Sequence, residues 1–114
     1  MAKLPRETTE TVLNLKRQLI DILDEATATE FVIFESFGET DETLPFLDEM
    51  KSVAEQATSR FSQLSALQLR IGEAQPNASA DILELLAQGI AQTQQRIPAW
   101  ERSIQEVKLE WNLP

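Results

Sequence analysis

The chain contains no cysteine, no histidine and no tyrosine, and only 3 glycines among 114 residues. Without cysteine there is no disulfide framework and no thiol nucleophile. With histidine also absent, Cys/His zinc sites, imidazole acid–base catalysis and histidine-ligated haem are excluded. Three isolated glycines cannot build the Gly-rich loop that cradles a phosphate. Basic residues are scarce as well, 10 against 19 acids, for a net charge of −9. Nucleic acids and anionic membrane surfaces are held through Lys and Arg, so neither is an expected partner. The longest run of large apolar residues is Phe31-Val32-Ile33-Phe34, far short of a membrane span. The start, Met1 to Arg6, leads into Glu7-Thr8-Thr9-Glu10 with no apolar core, so no signal peptide is expected and the expected compartment is the cytoplasm.

What the chain does have is helical grammar. Hydrophobic residues make up 42% and charged residues 25%, a globular composition, and residues 1–114 are expected to form one domain without a metal or disulfide staple. Only Phe37–Pro45 and Gly72–Ser79 carry strong helix breakers, which leaves three segments, roughly 7–37, 44–73 and 79–112. In the first, Val12, Leu15, Leu19, Ile22, Ala26 and Ile33 make one apolar row. Leu13, Ile20, Leu23, Phe31 and Phe34 make a second, so this helix is expected to pack against two neighbours. Gly38 stands where a C-cap glycine would. In the second, Leu47, Met50, Ala54, Ala57, Phe61, Leu64 and Ile71 keep the period with Gln68 as the one polar member, Thr43 is the expected cap and Pro45 suits the first turn. In the third, Ile82, Leu86, Gly89 or Ile90, Thr93, Ile97, Trp100, Ile104, Val107 and Trp111 stay in phase across Pro98, which predicts one kinked helix rather than two. Asn77 or Ser79 can cap it.

Short connections predict an elongated, all-α, up-down-up three-helix bundle. In that topology the end of the first helix, the start of the second and the end of the third meet at one pole. Phe31, Phe34, Phe37, Phe46, Trp100 and Trp111 are then expected there, ringed by acids. Between Asp21 and Glu49 the chain has ten acidic residues and no basic one. Such a stretch is either a solvated surface or a docking face for a basic partner. The candidate partner-binding residues are Glu39, Asp41, Glu42, Asp48, Glu49 and Trp100.

No catalytic, cofactor or metal site is expected. The loop Gly38–Thr43 lacks the alternating acid/Gly register and terminal bidentate Glu of a calcium loop. No histidine is available to activate a Ser or Thr, and Lys16, Lys51 and Lys108 stand in no Ser/Lys motif. Leu13-Asn14-Leu15-Lys16-Arg17-Gln18-Leu19-Ile20-Asp21-Ile22-Leu23-Asp24 resembles the opening helix of the all-helical chorismate mutases, a three-helix family of similar length. The resemblance puts Arg17 near that family's first-helix substrate arginine. That family needs further Lys and Arg around its dicarboxylate pocket, whereas here the next base after Arg17 is Lys51, across ten acids. A mutase therefore ranks third. The first expectation is a non-catalytic protein-interaction module that pairs with itself as a homodimer, through small, uncharged positions such as Ala57, Ser62, Ser65, Ala66, Ala87, Gly89 and Ala91. The second is an acidic regulator that occupies a basic or nucleic-acid-binding surface on a partner protein.

Overall fold

The computed structural model describes residues 4–74 and 76–114. Among them are three helices, α1 (Arg6–Phe37), α2 (Leu44–Glu73) and α3 (Ala80–Glu110), and no strand. Every pair of helices is in contact, and the bundle measures 56 × 20 × 17 Å. Glu30 on α1 meets Lys51 on α2 at 3.6 Å and Lys16 meets Gln68 at 3.1 Å, so these two helices run antiparallel. Phe37 lies against Trp111, and Pro5 and Thr8 share a groove with Leu83 and Ala87, so α1 and α3 run parallel. No helix among the described residues is long and apolar enough to cross a membrane.

One apolar row per helix makes the core. On α1 it is Val12, Leu15, Leu19, Ile22, Ala26, Thr29 and Ile33. On α2 it is Leu47, Met50, Val53, Ala54, Ala57, Leu64, Leu67 and Ile71. Gln68 stands at the edge of that core and accepts from the Lys16 ammonium, while Leu67 and Val53 fill the interior. On α3 every member from Ile82 to Val107 that faces inward is buried. Gly89 is buried in this row, and a Cβ there would meet Leu64 at 3.4 Å, an ordinary packing distance. The two buried threonine hydroxyls in helices are satisfied locally, Thr29 donating to the Glu25 carbonyl and Thr93 to the Gly89 carbonyl, each at 2.7 Å.

The helix ends show why each segment stops where it does. Gly38 takes φ +74° and ψ −174°, a region open to glycine, and its N–H closes α1 on the Phe34 carbonyl. The Ser79 hydroxyl accepts from the Ile82 N–H and caps α3. α3 runs unbroken through Pro98. That proline, and Gln94, whose carbonyl loses its helical partner to it, are both exposed residues on the outer side of α3. At its far end Asn112 adopts φ +56°, with Leu113 N–H bonded to the Lys108 carbonyl and Asn112 N–H to the Leu109 carbonyl. These two bonds make a Schellman motif.

Trp100 is 3% exposed. Its indole N–H donates to Gln56 at 3.2 Å and the Arg96 guanidinium lies over its ring. It is in register with Ile97 and Ile104 on the inward face of α3. Trp100→Ala is expected to cost about 3–5 kcal/mol in urea unfolding, because it empties a large core position. A loss under about 1 kcal/mol would place the ring outside the core.

Candidate functional site

The candidate site is built on the part of α1 that the bundle leaves uncovered. The inward row of α1 faces the seam shared with α2 and α3. α1 packs against two neighbours as expected, but most of the second row takes no part in that packing. Leu13 is 51% exposed, Ile20 40%, Phe31 61% and Phe34 51%, and only Leu23 is half-buried. The reason is geometric. Three helices around one seam cover one arc of each helix, and a row about 100° further round lies beyond the flank of α2.

The exposed residues are regularly spaced. Leu13, Ile20, Thr27 and Phe34 are seven apart, with Phe31 one turn before the end. Inside this row, on the floor between α1 and α2, Lys16, Leu23 and Glu30 are also seven apart. Lys16 reaches Gln68 and lies 5.0 Å from the Phe61 ring centre, and Glu30 pairs with Lys51. The floor is thus closed by internal partners, while the outer apolar row has none. At its lower end the row opens into a 490 Å³ groove lined by Thr27, Glu30, Phe31, Phe34, Glu39, Leu47 and Lys51. Leu44, seven residues before Lys51 and 39% exposed, extends the apolar surface onto α2.

The rim is acidic. Asp24 and Glu35 stand one turn beyond Ile20 and Phe31 on the outer side of α1. Glu39 lines the groove itself, and Asp48 stands one turn beyond Leu44. The only base lining that groove, Lys51, is paired with Glu30. Of the sequence-predicted residues, then, the fold brings Glu39 and Asp48 to this face. Glu49 falls about 100° further round α2, away from the groove. Asp41 and Glu42 are exposed in the turn, where they meet the positive end of α2. Trp100 is 3% exposed on the inward face of α3, with one edge on a groove it shares with Gln56, Arg60 and Arg96.

The aromatic pole also divides. Phe37 and Phe46 pack on Trp111 at 4.8 and 5.4 Å between ring centres, whereas Phe31 and Phe34 point outward along α1. Of the bases expected to offset acid crowding there, Lys108 pairs with Glu25 at 3.4 Å and Arg96 bonds Gln56. Of the small residues offered for self-pairing, Ser62 and Ala66 are exposed one turn apart on α2 with Ser65 half-buried beside them. Ala57 and Gly89 are buried in the core, and Ala87 and Ala91 line the α1/α3 groove.

The turn that holds the lower end of the face is fixed by two threonines. Thr43 does not cap α2 with its side chain. Its hydroxyl, 1% exposed, donates to the Gly38 carbonyl and accepts from the Thr40 N–H, both at 2.8 Å. The Thr40 hydroxyl in return accepts from the Thr43 N–H at 3.1 Å, and the Leu44 N–H bonds the Thr40 carbonyl. This is a capping box with threonine at both ends, and it starts the helical path at Thr40.

Among the described residues no group of three or more Asp or Glu side chains is placed to hold a metal ion. No protein-family model, curated protein or solved structure matches the chain. Thr43→Val keeps the shape of the side chain and removes both hydroxyl bonds. It is expected to cost about 1–3 kcal/mol by denaturant unfolding, because the Thr40 N–H and the Gly38 carbonyl lose their partners. An unchanged midpoint would mean the turn is held by packing alone.

Proposed function

We propose that this chain is a non-catalytic, helical protein–protein interaction module, and that the outer row of α1 with its groove against α2 is the face that takes a partner. The observation that supports this most is the regular exposed row Leu13, Ile20, Thr27 and Phe34, with Phe31. Isolated exposed apolar side chains are ordinary on a protein surface, but an aligned row of them beside a groove marks an interaction surface. Seven-residue spacing is the pattern by which one helix receives another, since it keeps contacts in line along a helix pair. The absence of histidine and cysteine, and exposed carboxylates that do not converge, support a role in binding rather than turnover. The lack of cysteine also suits work in the reducing cytoplasm.

A photo-crosslinking amino acid placed singly at positions 20, 31, 34, 85 and 109 in the producing cell tests this reading. Leu85 and Leu109 serve as controls because both are exposed on α3. Discrete crosslinked species are expected from positions 20, 31 and 34 and not from the controls. Equal or absent crosslinking at all five positions would contradict a docking face on α1.

A further inference from the structure

The charge around this face selects the kind of partner, and the inference rests on the docking reading above. We infer that the α1/α2 face receives an amphipathic helix with basic flanks from another protein, which lies along α1 as the fourth helix of the bundle. Three features define it. From Leu13 to Phe34 the row extends 21 residues, so at 1.5 Å per residue the occupant is a helix of about 32 Å, or three heptads. The apolar positions need an apolar stripe with the same repeat. The rim then sets the flanks. From Ile20 to the turn, Asp24, Glu35, Glu39 and Asp48 border the apolar residues, none is in an ion pair among the described residues, and Lys51 is already engaged by Glu30; the bases Lys16 and Arg17 stand only at the Leu13 end.

A second copy of this chain fits the apolar row but not the charge. Each copy carries −9. Laid antiparallel so that Leu13 faces Phe34 of the other copy, two α1 helices bring their Asp24 side chains together near the two-fold axis. A helix with Lys or Arg flanking its apolar stripe meets four unpaired carboxylates instead. Those rim contacts speed encounter, while Phe31, Phe34, Ile20 and Leu13 supply the desolvated centre.

The test uses the full chain and a designed, fluorescein-labelled helical peptide of about three heptads, with Leu at the two seam positions and Lys on the flanks. A companion peptide carries Glu in place of every Lys. Anisotropy is read at low and raised salt, and light scattering gives the mass of the protein alone. The Lys peptide is expected to bind one per chain, and the Glu peptide not at all. Phe31→Ser with Phe34→Ser is expected to weaken binding by at least about tenfold, as loss of central anchors does. Asp24→Asn with Glu35→Gln and Glu39→Gln is expected to weaken it at low salt and to flatten its salt dependence. Leu109→Ser, on α3, leaves it unchanged.

Equal binding of the Lys peptide by wild type and the Phe31/Phe34 variant would overturn the inference, because attraction to acid would then be unspecific. Failure of the peptide to bind wild type would also overturn it. So would a two-copy species that the Phe31/Phe34 variant splits into monomers, since the occupant would then be a second copy. Crosslinks at positions 20, 31 and 34 in the face of any of these outcomes would leave the docking face standing and remove only the basic helix. Their absence would remove the face itself.

Discussion

Everything in this molecule depends on one shared seam. Leu19, Ile33, Met50, Leu64, Ile71, Leu86 and Ile104 are all 2% exposed or less, and they come from three helices that have no other interior. Burial of that seam holds the helices together, since helices of this composition gain most of their stability from packing rather than propensity. The seam also imposes a limit. A helix in a three-membered bundle covers one row well, and a second row on the same helix remains at the surface. α1 carries two rows, and the second is therefore open.

That limit separates what could be read from residue types from what needed coordinates. The three helices, their ends within two residues and the inward row of α3 were legible because each rests on local period and on breakers such as Gly38 and Pro76. The passage through Pro98 was legible too, because the inward row continues in phase across it. Whether Leu13 and Phe34 were core or surface was not legible, because period places residues on a face without saying how many neighbours that face has. Seven-residue spacing does not decide it, because the buried row Val12, Leu19, Ala26 and Ile33 keeps the same repeat. Trp100, offered as a candidate contact, is 3% exposed. Its place beside Ile97 and Ile104 marks it as core, and aromatic type alone does not mark a binding surface.

The turn between α1 and α2 ties the seam to the face. Gly38 provides the positive φ that ends α1, and Thr40 and Thr43 lock the chain into α2 by reciprocal bonds. This sets Leu44 and Lys51 against Phe31 and Phe34. The acids of the same stretch fall into two roles. Asp41 and Glu42 sit where the α2 dipole favours them. Glu39 and Asp48, with Asp24 and Glu35 on α1, border apolar surface, where in the proposed reading their charge biases which helices approach.

The central claim is that the outer row of α1 is open in the free chain and closes on something other than itself. Fluorine NMR of protein labelled with 4-fluorophenylalanine measures this directly, since each of the 5 phenylalanines reports its own contact with water. The account predicts large H₂O/D₂O solvent shifts for Phe31 and Phe34 and small ones for Phe46 and Phe61, all independent of protein concentration. Phe31 and Phe34 signals that are shielded from solvent in the free monomer, or that become shielded as the protein is concentrated, would contradict it.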